Sequence, residues 1–263
     1  MNQEFIFYSL LLFVLGLILG SFANVLIYRL PLNKKGILTG RSFCTFCKKK
    51  IEWFDNIPLI SFLKLNGKCR NCKKNISPRY FFVELISGLS FIFLFFYLDN
   101  FYEIIFYQIV FLILIIIIFI DLKHFIIPDE LNFTLIFLAI IHNFFTDFSI
   151  QFNANLNQSI IGGLVGFSVI WSIIFLYDKL KNIEAMGMGD AKLMAALGLF
   201  FGWQSVPFVL FFASIIGLIF VLPSILRTKK NLQTEIPFGP PIISAAILYF
   251  FKGEIIIGMI IKY

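Results

Sequence analysis

The feature that most limits this chain is a run of ten residues, Phe111 to Ile120, built entirely from Phe, Leu and Ile. A segment that is apolar on every side cannot face water, and its length and lack of charge suit the interior of a bilayer. The segment from Phe5 to Ile27 reads in the same way, and the bias holds throughout. Of 263 residues, 59% are hydrophobic and 14% charged, and the mean hydropathy is +0.90. Soluble domains lie nearer half apolar and a quarter charged. The expected class is an all-α polytopic membrane protein with about seven or eight spans of ~20 residues and one modest extramembrane domain.

The charges report topology. The formal net charge is +7, and 13 of the 22 Lys and Arg fall between Arg29 and Arg79. Most others sit at Lys123, at Lys179 to Lys192, and at Arg227 to Lys230. Clustering in alternate loops is the positive-inside pattern, which argues against nucleic acid as a partner and leaves membrane lipid. Glu4 is the only charge before the first apolar run, and the basic flank Arg29, Lys34 and Lys35 follows it. That run is therefore expected to be an uncleaved first span with its N-terminus outside. Further spans are expected at about 80–98, 102–120, from Pro128 to 145, 159–177 and 206–226, and from Pro237 to 251. An acidic turn (Asp99, Asn100, Glu103) and an Asn-rich loop (Asp147 to Gln158) lie outside. A short apolar helix at 187–202 is either re-entrant or continues through Trp203. The parity of these crossings brings Asp121 and Asp190 out on one face, the cytoplasmic one. The expected organisation is a first span (1–27), a cytoplasmic Cys-rich domain (28–79) and a transmembrane domain (80–263).

All four cysteines lie in the polar segment, as Cys44-Thr-Phe-Cys47-Lys-Lys and Cys69-Arg-Asn-Cys72-Lys-Lys, with 21 residues between the pairs. Two such knuckles can supply four thiolates in a tetrahedron around a structural Zn2+, closing a domain too small for its own core. The lysines would lower the thiol pKa values. Two disulfides or four unrelated thiols are the alternatives, and a reducing cytoplasm disfavours the former.

Two polar breaks carry the candidate chemistry. One is Asp121-Leu122-Lys123-His124, followed by Ile127-Pro128-Asp129. The other is Gly187-Met188-Gly189-Asp190. A carboxylate beside a long apolar run is expensive and marks function more often than chance. Two carboxylates held together share a proton, so one can take a proton from water while the other hydrogen-bonds a scissile carbonyl. Asp190, just before a helix, would have its ionised form favoured by the helix dipole. Gly187 and Gly189, without Cβ, would let backbone approach an extended substrate. Glu84, near the start of the second span, is either a dipole partner or part of a polar cleft that binds substrate; Asn24 reads as helix-packing glue. Asp129 reads as a capping residue. His124 and His142 are the only histidines and form no His-Glu-x-x-His motif, which disfavours a catalytic zinc.

Taken together these residues resemble the bacterial type IV prepilin leader peptidases. The resemblance rests on Gly20-Ser21-Phe22-x-Asn24-Val25-x-Ile27-x-Arg29-Leu30-Pro31, the two knuckles, Asn56-Ile57-Pro58 and Ile76-Ser77-Pro78-Arg79-Tyr80 with Glu84. It continues through Asp121 with Ile127-Pro128-Asp129, Gly187-Met188-Gly189-Asp190 and Pro237-Phe238-Gly239-Pro240. It implies that Asp121 and Asp190 are catalytic, and that the substrates are prepilins or pseudopilins cut after a glycine at the cytoplasmic face of the bacterial inner membrane. It also implies N-methylation of the new terminus with S-adenosylmethionine, and a cysteine domain linked to zinc and methylation. Rival readings are an ion-coupled transporter using the two aspartates and a non-enzymatic scaffold with a zinc domain.

Overall fold

The computed structural model describes residues 3–32, 42–144, 156–181, 186–228 and 237–261. Residues 33–41, 145–155, 182–185 and 229–236 fall outside them, and with them Lys34, Lys35, most of the Asn-rich loop and Lys229-Lys230. Among the described residues the chain is helical except in residues 42–78, which are mostly turns with a short helix and two isolated antiparallel bridges, and in the short connections between helices. The helices are α1 (Gln3–Arg29), α2 (Ile60–Lys64), α3 (Arg79–Tyr97), α4 (Phe101–His124) and α5 (Asp129–Phe144). They continue as α6 (Leu156–Lys181), α7 (Met188–Phe201), α8 (Ser205–Thr228) and α9 (Gly239–Ile261). In hydrocarbon every backbone polar group must be satisfied within its own segment, which is why apolar runs of this composition become helices.

Among the described residues five helices are long and apolar enough to cross a membrane: α1, α3, α4, α6 and α8. These are five of the seven or eight spans expected of this multi-pass protein; α5, with 16 residues, and α7, with 14, are too short for that measure. At 1.5 Å per residue, α7 is about 21 Å long, short of a bilayer core of ~30 Å. The last helix runs well past the expected end near residue 251, to Ile261.

The chain divides into two compact units, residues 1–116 and 117–263, with the boundary inside α4. In the first, α1 packs on α3 through small residues. A Cβ on Gly20 would stand 2.8 Å from the Cα of Glu84. Asn24, buried, donates from Nδ2 to the carbonyl of Tyr80 at 3.1 Å across the same contact, the packing role expected of it. On the opposite side of α3, Phe82, Ile86, Leu89, Phe93 and Phe96 form an exposed stripe at helical spacing, suited to lipid.

In the second unit α7 is enclosed by α5, α6, α8 and α9, and eight of its residues are buried. Gly162 of α6 meets Gly198 of α7 backbone to backbone, so a Cβ on either would overlap the other's carbonyl. The Gly-Gly-x-x-Gly face of α6 is thus the seat of α7. On the α5 side, Asn143 Nδ2 donates to the Leu199 carbonyl at 3.0 Å, and Lys192 pairs with Asp129 at 2.6 Å.

Candidate active site

Asp121 lies in the last turn of α4 and not in a break after it. The helix continues to His124 and ends where Phe125 takes a left-handed conformation (φ 56°), its N–H bonded to the Asp121 carbonyl. That is the usual αL way to stop a helix, here without the usual glycine. Asp121 is therefore fixed by regular backbone, and its side chain is buried.

Asp190 is likewise inside a helix, in the first turn of α7, and not ahead of it. Gly187 is the cap, and its carbonyl accepts the Asp190 N–H at 3.1 Å. Asp190 is buried and close enough to Asp121 to feel its charge, so the second unit brings the two carboxylates near one another.

Two further groups join them. The N–H of Gly239, first residue of α9, donates to Oδ2 of Asp121 at 2.9 Å in a buried bond. A Cβ on Gly239 would stand 2.7 Å from that oxygen, so only glycine allows this approach. Asn132, fully buried on α5, donates from Nδ2 to the Gly189 carbonyl at 3.1 Å, and its Oδ1 has no hydrogen-bond partner. Ile127 is wedged between both motifs: a Cβ on Gly189 would meet its Cβ at 2.9 Å, and one on Gly239 would meet its Cδ1 at 3.3 Å. Gly189 thus faces Ile127. Gly187 has open space where its side chain would be, apart from Asp190 Oδ2 at 3.8 Å. Asp129 opens α5 and is spent on Lys192.

Glu84 and the cysteines lie in the first unit. Glu84 is buried, and its Oε2 accepts the N–H of Leu59 at 2.9 Å. The knuckles are two copies of one turn. Cys44 N–H bonds Lys49 O and Lys48 N–H bonds Cys44 O; Cys69 with Lys74, and Lys73 with Cys69, repeat this at 2.9–3.0 Å. Lys48 and Lys73, following each second cysteine, hold the matching left-handed conformation (φ 60° and 58°). The sulfur atoms of Cys44, Cys47, Cys69 and Cys72 all lie within 4.8 Å of one another, and Cys44 and Cys72 are 3.8 Å apart. Tetrahedral Zn–S bonds of 2.3 Å require S···S of about 3.8 Å, so the four residues fit zinc.

Burial pushes the Cys44 thiol up, but hydrogen bonds from the Cys47 and Phe46 backbone outweigh it and bring the pKa to about 7. A backbone hydrogen bond from Lys74 pulls Cys72 down; partial burial and the other three sulfurs outweigh it and raise Cys72 to about 11. Burial, backbone N–H groups and neighbouring sulfurs, and not the lysine charges expected from the sequence, tune Cys44 and Cys72. Two of those lysines lean on rings, Lys48 over Phe43 and Lys74 over Phe46. Four facing sulfurs cannot all ionise without a cation between them.

Residues 14–98 match the Bacterial Peptidase A24 N-terminal domain, and residues 108–222 match the type IV leader peptidase family. The chain belongs to that peptidase family. Proteins named prepilin leader peptidase/N-methyltransferase resemble it over almost their whole length. The Aeromonas salmonicida (strain A449) protein is 32% identical, over 94% of this chain and 91% of its own. The Vibrio cholerae protein is 36% identical, over 93% and 97%. That of Dichelobacter nodosus is 34% identical, over 90% and 89%. No solved structure matches the chain. Both aspartates fall within the peptidase match and all four cysteines within the N-terminal one.

The sequence missed Asn132 and the role of Gly239. A backbone N–H leaves no mark in residue type, although the Pro-Phe-Gly-Pro-Pro stretch was conspicuous. Asn132 had a signal, an amide in the otherwise apolar Leu-Asn-Phe-Thr-Leu-Ile-Phe run.

Proposed function

We propose that this protein is a membrane aspartic endopeptidase that removes the basic leader from type IV prepilins or pseudopilins at the cytoplasmic face, with Asp121 and Asp190 as the working pair. The observation that carries the reading is the approach of two buried carboxylates, Asp121 from α4 and Asp190 from α7, with the Gly239 N–H holding Asp121. One carboxylate takes a proton from a water molecule, which attacks the scissile carbonyl. The other, protonated, hydrogen-bonds the carbonyl oxygen as charge develops there. Collapse of the tetrahedral species returns a proton to the departing amine, and no covalent enzyme intermediate forms. With Oδ2 of Asp121 held by Gly239, Oδ1 is left for the water or the shared proton. Gly187, with open space in place of a side chain, is the glycine that borders an extended substrate.

A site at the membrane rim suits a single-span substrate whose leader stays inside. The same protein would then N-methylate the new terminus, with S-adenosylmethionine supplying the methyl group. Among the described residues no strand–glycine–helix unit of the nucleotide-binding kind occurs, so the donor is assigned to no residues. Zinc, held by the four cysteines, would close the knuckle domain and take no part in hydrolysis, since four protein ligands leave no open position. Family membership removes the ground for the transporter and scaffold readings.

The test is leader cleavage of a co-expressed prepilin, read as a gel shift, for wild type, Asp121→Asn and Asp190→Asn. Loss of cleavage in both at normal membrane levels is expected. Undiminished cleavage by either variant would refute the pair.

A further inference from the structure

The segment Trp53–Lys64, between the knuckles, has no place in the proposed chemistry, yet it is the most tightly specified part of its domain. Ile57 N–H donates to Ser61 Oγ and Ser61 Oγ to the Phe54 carbonyl, both at 3.0 Å, with Ser61 buried. Arg70 of the second knuckle grips Asp55 through two bonds of 2.6 and 2.7 Å. Leu59 takes the uncommon left-handed φ of 58°, and its N–H is the donor to Glu84. Phe62, one face of α2, packs against Phe81 with ring centroids 5.6 Å apart and the rings tilted by 42°.

Glu84 is the sixth residue of the spanning helix α3, about 8 Å along it at 1.5 Å per residue. The bonds from Leu59 to Glu84 and from Phe62 to Phe81 therefore hold α2 beside the first turns of a membrane span. Large apolar side chains of the same segment nevertheless reach solvent. Trp53 is 74% exposed, Ile60 61% and Leu63 62%. Around them, residues 42–78 carry eight Lys and Arg against two acids, and all eight cations reach solvent. An apolar ridge with tryptophan at its edge, set in basic surface and held at the end of a span, matches the headgroup region of an anionic leaflet.

We infer that Trp53, Ile60 and Leu63 seat the knuckle domain in the headgroup layer of anionic phospholipid, with Glu84 as the strut that sets their depth. The buried carboxylate of Glu84 then serves positioning and not substrate binding. This inference does not depend on the peptidase chemistry of the second unit.

The test uses the full chain in vesicles of phosphatidylethanolamine and phosphatidylglycerol, with Trp171→Phe and Trp203→Phe leaving Trp53 as the only tryptophan. Lipids brominated near the headgroup should quench Trp53 roughly twofold more than lipids brominated near the bilayer centre, as expected for a ring at interfacial depth. Aqueous iodide should quench it weakly. Adding Ile60→Glu and Leu63→Glu should reverse the two sensitivities, whereas zinc content, read separately, should stay unchanged. Strong iodide quenching without the charge substitutions would overturn the inference. So would protection from both quenchers, which would mean that protein covers the ridge. Equal protection in wholly zwitterionic vesicles would overturn the choice of anionic lipid.

Discussion

At the scale of single residues, the candidate site depends on a group that has no side chain. Gly239 gives Asp121 its hydrogen bond at 2.9 Å, and a methyl group in its place would stand 2.7 Å from the accepting oxygen. Gly239→Ala leaves the N–H in place and improves helix propensity at the first position of α9, so the fold should tolerate it. The carboxylate must instead swing away, and displacing a reacting group by about 1 Å costs about 100-fold in rate. The expected outcome is a kcat for leader cleavage lower by about 100-fold with KM and melting temperature near wild type. A parallel fall in melting temperature would show that the glycine serves packing alone. The aspartates and cysteines were legible because such residues are rare beside apolar runs and their spacing was regular. Gly239 and Asn132 act through hydrogen bonds between a backbone atom and the side chain of a distant segment, a relation that exists only after folding.

Secondary-structure elements were legible in type and less so in extent. Hydropathy placed every long helix, yet it could not see that α4 runs four residues beyond the unbroken apolar run that ends at Ile120. A helix that satisfies its own backbone can continue through Asp121-Leu122-Lys123-His124, and it stops only where Phe125 turns left-handed. For the same reason Asp190 sits inside α7, held by helical backbone. The position of α7 rests in turn on the contact between Gly162 and Gly198. Gly162→Val forces these backbones apart, and overpacking of this kind typically costs about 1–3 kcal/mol. Purified in detergent, the variant should melt several degrees lower and lose cleavage in step, because Asp190 moves with α7. Normal melting with lost cleavage would instead assign Gly162 a direct role at the site.

For the whole molecule, the division into residues 1–116 and 117–263 separates the cysteines from the aspartates. Each unit has its own small-residue helix contact and its own polar cluster, and each falls in a different family match. The sequence set the cysteine domain (28–79) apart from the transmembrane domain (80–263), but it could not show that the packed units divide within α4, after residue 116. Zinc removal tests that division. Purified protein should hold one zinc per chain, and Cys69→Ser should abolish it, since three thiolates leave the tetrahedron open. Without the metal the knuckles lose the cation that lets four facing sulfurs ionise together, and the lysine-rich segment 42–78 should become trypsin-sensitive. Leader cleavage should persist within a few-fold, because Asp121, Asp190, Gly239 and Asn132 all lie beyond the boundary. N-methylation, read as the mass of the processed N-terminus, should fall if the first unit carries it. Cleavage that vanished together with zinc would mean that the knuckle domain completes the peptidase site and that the two units work as one.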